Sequence, residues 1–426
     1  MQFIEELKWR GLVNDLTPEA EKIDQAGKKI TGYIGFDPTA PSLHIGSLVP
    51  IMLLVHLQRA GHTPIAVVGG ATAMIGDPSG KSSERKLLSE DEVNHNLDRI
   101  KLQLSKFLDF NSAVNPAVLV NNYDWIRKLD VLTFLREVGK HLTINYMLSK
   151  GFIKTRLETE LSFTEFNYLL IQAYDFFWLH QNKECVLQMG GSDQWGNITT
   201  GIELIRKKTG SSAMGLTCPL LTKSDGSKFG KSEDGNVWLD PEMTSPYKFY
   251  QFWLNCSDED IPKLTRIFSL NARDQIILLE QEHAKAPHMR LMQKELAREL
   301  TIRIHSQKDF ETALEASEIL FGKGTTDTLK MLDERTFLNV FEGVPQSEIH
   351  AGDLKLGIPV LDLLVEKTTV FPSKGEARKM LQGGGVSINK VKVEDVNKLF
   401  TEADLLNEKY MLVQKGKKNY FVVRVV

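Results

Sequence analysis

A strand, a tight turn and a helix start follow one another in Tyr33–Ser47, YIGFDPTAPSLHIGS, and that succession limits the fold class more than any other stretch. Lys29–Phe36 is a β-type run, and Asp37-Pro38-Thr39-Ala40-Pro41-Ser42 breaks it. From His44 onward apolar residues return at helical spacing: Leu48, Ile51, Met52, Val55. A second apolar strand, Ile65-Ala66-Val67-Val68, ends at Gly69-Gly70. Strand, helix and strand within about forty residues make a βαβ unit, which implies a parallel sheet. A helix that starts after a strand gathers unpaired backbone N–H groups and the positive end of its dipole in one place, which suits phosphate. Gly46 lets a backbone or a ligand come close, and His44 adds a donor. The expectation is a nucleotide site at the carboxyl ends of parallel strands.

Further loops fall where such a sheet binds ligands. ATAMIGDPSGKSSERK follows the second strand and brings Asp77, Lys81 and Arg85; alone it fits a solvated basic loop equally well. Ala117–Asn121 and Val186–Met189 are further strands. The second leads into GGSDQWGN, where an acid can take a ribose hydroxyl or merely cap a helix. Between them, Phe163–His180 is helical, with Tyr168, Gln172 and Asp175 on one face at i, i+4 and i+7. Such a face is either a satisfied core network or a pocket for a small polar ligand, cationic to suit Asp175. TKSDGSKFGKS, residues 222–232, carries Lys228 and Lys231 between glycines. That fits a basic hairpin turn or a mobile lid over developing anionic charge. It is not a Walker A loop, whose glycines precede Lys-Ser/Thr at a set spacing.

The chain has 426 residues, room for two or three domains, and a net charge of −3 that gives no global nucleic-acid signature. The charge is uneven. From Lys355 to the end there are 13 Lys and Arg against 8 Asp and Glu, net +5, which leaves −8 for the remainder. A basic module on an acidic body suggests a polyanionic partner for that module. Within it, Ser373-Lys374-Gly375-Glu376 starts a helix that exposes Lys374, Arg378 and Lys379 before Gly383-Gly384-Gly385. Cys185, Cys218 and Cys256 lie far apart and fit core-filling roles rather than a metal site. Glu5, Glu6, Lys8 and Arg10 interrupt any secretory apolar region, and no run is long enough to cross a membrane. A reducing cytoplasm is the expected location.

Together these stretches resemble the tyrosyl-tRNA synthetases of bacterial type, class I aminoacyl-tRNA synthetases. His44-Ile45-Gly46-Ser47 is similar to the family's first signature, His-Ile-Gly-His, and Lys228-Phe229-Gly230-Lys231-Ser232 to its second. The Tyr-x-x-x-Gln-x-x-Asp helix and GGSDQWGN lie between them in the family's order. The tail, with Gly375-Glu376-Ala377-Arg378, resembles an RNA-binding domain of ribosomal-protein type.

The resemblance implies an α/β architecture: a Rossmann-like parallel-sheet catalytic domain over 1–221, with a helical insertion at about 124–160 that makes a homodimer interface. It further implies a mobile loop at 222–236, an α-helical domain at 237–321, a linker with some helix at 322–354, and a small α+β RNA-binding domain at 355–426. The implied activity is formation of tyrosyl-adenylate from L-tyrosine and ATP, then transfer of tyrosine to the terminal adenosine of tRNA(Tyr). Mg²⁺ would travel on ATP, with no protein-bound metal. Thr39, His44, Lys81, Arg85, Lys228 and Lys231 would meet the phosphates. Gly35, Asp37, Gly46, Ser47, Gly191 and Asp193 would border ATP, Asp193 at its ribose. Asp77, Tyr168 and Gln172 would hold the tyrosine ammonium, Gln194 would lie near the activated carboxylate, and Tyr33 and Asp175 would pair with the phenolic hydroxyl. Lys374, Arg378 and Lys379 would bind tRNA. Two positions depart from the family pattern: Ser47 replaces the signature's second histidine with a shorter hydroxyl, and Ile34 replaces a cysteine common near the ribose. A tryptophanyl-tRNA synthetase or a related adenylyltransferase shares the chemistry, and an RNA-binding protein with an inactive core is a reading from another class.

Overall fold

The computed structural model describes residues 2–77, 79, 88–151, 153–154, 161–224, 226, 229–232, 235–321, 326–341, 344–416 and 419–426. They divide into two compact units. One joins Met1–Thr244 to Phe252–Ile304; the other joins Ser245–Gln251 to His305–Val426.

The first unit is built on five parallel strands: β1 (Thr31–Phe36), β2 (Thr63–Val68), β3 (Val118–Asn121), β4 (Cys185–Gly191) and β5 (Met214–Cys218). Their order is β3-β2-β1-β4-β5. The chain builds outward from β1 on one side, then returns to the other side of β1 with β4. The topological switch therefore lies between β1 and β4, where folds of this kind bind ligands at the carboxyl ends. Crossovers are helical. Leu48–Arg59 buries nearly its whole circumference, as a helix between β1 and β2 must when the sheet lies on one side and further helices on the other. Phe163–Lys183 starts at a full capping box between Ser162 and Glu165, which satisfies two orphan N–H groups at its entry. Tyr33, Phe176, Trp125 and Cys185 share one buried cluster, with Trp125 and Trp178 stacked at 4.2 Å.

The expected 237–321 helical domain is not set apart. Its helices Ile261–Phe268, Arg273–Lys285 and Leu291–Ile304 belong to the first unit. Buried Arg10 explains much of this: its guanidinium donates to the carbonyls of Arg266 (2.7 Å), Ser269 (2.6 Å) and Asn271 (3.2 Å), while Nε donates to Glu6. Arg59 adds a bond to Leu270 O, and Lys106 one to Ile304 O. Replacing Arg10 would leave several helix-end carbonyls unpaired in a dry site.

In the second unit, strands run in the order Val391–Lys392, Val386–Ile388, Tyr410–Lys415, Asn419–Val425, Gln346–Ile349. The last two pair in parallel and the others antiparallel. The α+β character of the tail is as expected, and Ser373 caps the helix Lys374–Gln382. The 322–354 stretch contributes more than a linker would. Phe337 and Phe341 are buried and face each other at 4.9 Å, Phe337 lies 5.2 Å from Tyr410, and Ile349 joins the sheet's core. Burial of those apolar side chains holds the segment to the unit. No helix among the described residues is long and apolar enough to cross a membrane.

Candidate active site

The residues that follow β1 to β4 are joined by hydrogen bonds at the carboxyl ends of the strands. After β1 comes Asp37, after β2 Gly69 and the short helix Gly70–Ala73, after β3 Asn122, and after β4 the turn Ser192–Gln194. A Cβ on Gly69 would sit 2.1 Å from Asp37 Oδ1 and 2.2 Å from Thr72 Oγ1, so only glycine admits that carboxylate. Asp37 accepts from Thr72 Oγ1 (2.7 Å) and from the Tyr168 hydroxyl (3.1 Å). It thereby links the turn after β1 to the Phe163–Lys183 helix.

At the pocket floor, Asp175 is buried and accepts from Trp125 Nε1 at 2.7 Å and Asn122 Nδ2 at 3.0 Å. Asn122 is held in turn, its Oδ1 accepting from Ala71 N at 2.8 Å and its Nδ2 facing Thr72 Oγ1. Desolvation pushes the Asp175 carboxyl up to about 7, against the lowering effect of its two donors. The Tyr33 hydroxyl is buried nearby and has no partner among the described residues. Burial first, then the charge of Asp175, raises its pKa well above the usual phenol range. A neutral donor with nothing to donate to, beside a carboxylate with lone pairs to spare, is costly unless a ligand completes it.

Above the floor, Gln172, Gln194 and Asp77 form a polar rim. Gln194 Nε2 donates to Asp77 Oδ2 at 2.7 Å, and Gln172 Nε2 donates to Gln194 Oε1 at 3.1 Å. Tyr168 is likewise buried, and desolvation followed by the charges of Asp37 and Asp77 keeps its hydroxyl protonated. The structure thus brings the amide, phenol and carboxylate face of the helix together with Asp37, Gln194 and, from the loop after β2, Asp77.

The first signature adopts a 3₁₀ turn, Ile45–Ser47, before the helix Leu48–Arg59. The expected row of free N–H groups is reduced, since Ile45 N donates to Val237 O and Ser47 N to His44 O. The imidazole of His44 lies over Gly46, where a Cβ would meet its Cε1 at 2.8 Å, and edge-on to Trp238 at 6.0 Å. Gly230, at φ +87°, packs against the Gly46 backbone, and Val237 N donates to Gly230 O. The two signature motifs are thus in contact. Thr39 and Gly35 are exposed, and Ser47, Gly191 and Asp193 are half-buried. Lys81, Arg85 and Lys228 lie outside the described residues, as does the side chain of Lys231. In the second unit, Lys374 forms ion pairs at 2.6 Å with both Asp362 and Glu366, which raise its pKa, whereas Arg378 and Lys379 are exposed.

Sequence reasoning missed Thr72, Asn122, Trp125, Ser79 and Asn197. Asn122 stands at a strand's carboxyl end, a position that marks ligand loops. Trp125 gave no such signal.

The chain's likeness to known proteins agrees with this geometry. The family described as "tRNA synthetases class I (W and Y)" matches residues 25–322, and the "Tyrosine--tRNA ligase SYY-like C-terminal domain" matches residues 336–423. A protein of Bacteroides fragilis named tyrosine–tRNA ligase is 57% identical over 428 residues, 99% of each chain. One of Cytophaga hutchinsonii with the same name is 58% identical over 424 residues, 99% of each.

The chain belongs to the tyrosyl-tRNA synthetase family.

Among solved structures, a C-terminally truncated mitochondrial tyrosyl-tRNA synthetase of Aspergillus nidulans superposes with a TM-score of 0.68 at 29% identity, covering 75% of this chain and 94% of that one. A tryptophanyl-tRNA synthetase of Plasmodium falciparum, at 12% identity and TM-score 0.51, shares the fold alone. The family's parallel sheet and the C-terminal domain are both present in this chain.

Proposed function

We propose that this chain is a tyrosine–tRNA ligase that activates L-tyrosine with ATP and transfers it to tRNA(Tyr). The observation that carries the reading is a buried Tyr33 hydroxyl with no partner among the described residues, near Asp175, whose two oxygens are steadied by Asn122 and Trp125. A phenol both donates and accepts, so one substrate hydroxyl serves both groups. An indole N–H only donates and would leave the Tyr33 O–H unsatisfied, which weighs against the tryptophan reading.

In the first step the tyrosine carboxylate attacks the α-phosphorus of ATP, forming the mixed anhydride as pyrophosphate leaves. The substrate supplies the nucleophile, so the protein's work is positioning and charge stabilisation. Asp77, Tyr168 and Gln172 hold the ammonium, with Gln194 beside the reacting carboxylate. Asp193 takes the ribose, while Gly35, Asp37, Gly46, Ser47 and Gly191 border the nucleotide. Thr39, His44, Lys81, Arg85, Lys228 and Lys231 take up the charge on the departing pyrophosphate, and Mg²⁺ arrives on ATP. In the second step a hydroxyl of the terminal adenosine attacks the carbonyl, and AMP leaves. Purified protein given tyrosine, ATP and tRNA(Tyr) should form tyrosyl-adenylate and then charged tRNA. Absence of tyrosine-dependent adenylate would end the proposal.

Gly46→Ala tests the placement of His44. The added Cβ would displace the imidazole or the turn, so kcat for pyrophosphate exchange should fall by about tenfold, the scale of one misplaced hydrogen bond to charge, with KM for tyrosine unchanged. A raised tyrosine KM with normal kcat would contradict that role.

For tRNA, Arg378 and Lys379 are better placed than Lys374, which already answers two carboxylates. Arg378→Ala should weaken tRNA binding and lower the salt slope by about one, whereas Lys374→Ala should do less. Binding titrations at several salt concentrations check this; equal losses would argue against the difference. A homodimer is supported by exposed apolar side chains in one stretch: Val131 and Leu132 at 73%, Leu135 at 53%, Ile144 at 65%, with Phe163 at 82%. Light scattering in solution reads the mass directly. A cytoplasmic location fits the reaction's substrates.

A further inference from the structure

We propose that Asn197 is a positioning residue for tyrosine binding, setting the amide orientations of Gln172 and Gln194. Its side chain is fully buried at the start of the helix Trp195–Thr209. Its Nδ2 donates to Gln172 Oε1 at 2.8 Å, to Gln194 Oε1 at 3.0 Å and to Ser79 Oγ at 3.2 Å. Two protons face three acceptors, so one is shared. Ser79 N donates to Asp77 Oδ1 at 2.8 Å, and Gln194 Nε2 donates to Asp77 Oδ2. The bonds therefore close into a ring: Asn197 to Gln172, Gln172 to Gln194, Gln194 to Asp77, Asp77 to Ser79, Ser79 back to Asn197.

The polarity of that ring follows from chemistry. Asp77 accepts from Ser79 N with one oxygen and from Gln194 Nε2 with the other, so Gln194 turns its NH₂ toward it and its carbonyl away. That carbonyl then requires donors, which Gln172 Nε2 and Asn197 Nδ2 supply. Gln172 is left with its carbonyl toward Asn197. Each glutamine amide has a single allowed orientation, and Asn197, whose own Oδ1 is buried with no partner among the described residues, is the member that faces both glutamine carbonyls with donors. Without it, Gln172 loses the bond that fixes its carbonyl and Gln194 loses one of its two donors. The inference rests on the reading that Asp77, Tyr168 and Gln172 receive the substrate ammonium, because an ammonium needs acceptors held toward it. Asn197 touches no substrate in this scheme. It connects the tyrosine helix, the turn after β4 and the loop after β2, so one buried amide holds three segments of the site in register.

The test is pyrophosphate exchange by Asn197→Ala, Asn197→Asp, the double variant Gln172→Ala/Gln194→Ala, and the triple combination with Asn197→Ala. Thermal unfolding of each variant is followed alongside. Asn197→Ala should raise KM for tyrosine by about tenfold with KM for ATP nearly unchanged, and the same change should have less than about a twofold effect in the double-variant background. Asn197→Asp keeps the shape but, once ionised, faces two carbonyls with another acceptor. Its tyrosine defect should be largest at pH 8 and shrink toward pH 6 as the carboxyl gains a proton to donate, while the Asn197→Ala defect relative to the unaltered protein stays flat. Should Asn197→Ala fold poorly, the isosteric aspartate carries the pH comparison. An undiminished effect of Asn197→Ala without the glutamines would make its role merely structural and overturn the proposal. So would an unchanged tyrosine KM in Asn197→Ala while the double variant is impaired. If the double variant itself binds tyrosine normally, the ammonium-site reading fails first, and the proposal falls with it.

Discussion

Asp175→Ala is expected to lower kcat/KM for tyrosine in pyrophosphate exchange by roughly 10²- to 10⁴-fold, with KM for ATP little changed. Breaking a buried, hydrogen-bonded charge site costs about 3–5 kcal/mol, which converts to that range. On the proposed role of Asp175 the change removes the acceptor for the substrate phenol, and it also strands Trp125 Nε1 and Asn122 Nδ2, both bonded to the carboxylate. A pH dependence accompanies it. Burial holds the Asp175 carboxyl at about 7, above its value in the unfolded chain. This group therefore favours the folded state fully at acid pH, below the unfolded carboxyl's range, and that contribution is lost as pH rises through about 7. A phenol donating to Asp175 favours its ionised form, so tyrosine should bind better above pH 7 than below it. The limiting loss is about tenfold per pH unit on the acid side. Equilibrium dialysis of tyrosine between pH 5.5 and 8.5 measures this. Asp175→Ala should flatten the dependence, and an unaltered slope in that variant would assign the proton elsewhere.

Removing residues 322–426 is expected to spare adenylate formation and to reduce tRNA charging by about 10²-fold or more, the scale of several lost phosphate contacts. The cut keeps the helix Gln307–Phe321, whose Phe310 meets Tyr250 at 5.8 Å and whose Ser317 bonds Gln251. It removes all five strands of the second sheet together, including Gln346–Ile349. A cut at Lys355 would instead strand that segment without its partner. Single-turnover adenylate formation and steady-state charging separate the two steps. Equal loss of both would show that the C-terminal unit supports activation as well.

What the sequence made legible and what it did not divide along physical lines. The strands around Tyr33, Ile65 and Val186 are short apolar runs closed by Gly, Pro or Asp, and local pattern suffices for them. The face of Tyr168, Gln172 and Asp175 was visible because helical spacing is fixed at every turn. The residues that steady Asp175 were not visible. Asn122 and Trp125 stand 53 and 50 residues away and arrive only because the connection from β3 to β4 lays the helix Phe163–Lys183 against the residues that follow β3. The helical-domain boundary failed for a similar reason. Arg10 reaches across more than 250 residues to backbone carbonyls, and a carbonyl leaves no mark in the sequence. The segment around Phe337 and Ile349 looked like a linker because its helices, Thr326–Met331 and Glu334–Val340, are too short for the buried spacing of Leu329, Leu332, Phe337, Val340 and Phe341 to stand out from the surrounding Gly, Thr, Ser and Pro.

The central claim is that a phenolic hydroxyl completes the pair Tyr33 and Asp175. The most direct measurement compares kcat/KM for tyrosine and phenylalanine in pyrophosphate exchange by the unaltered protein. Phenylalanine leaves the buried Tyr33 hydroxyl without an acceptor and deprives Asp175 of one donor beyond Trp125 and Asn122, at about 2 kcal/mol each, so tyrosine should be preferred by roughly 10³-fold. A preference below tenfold would contradict the account.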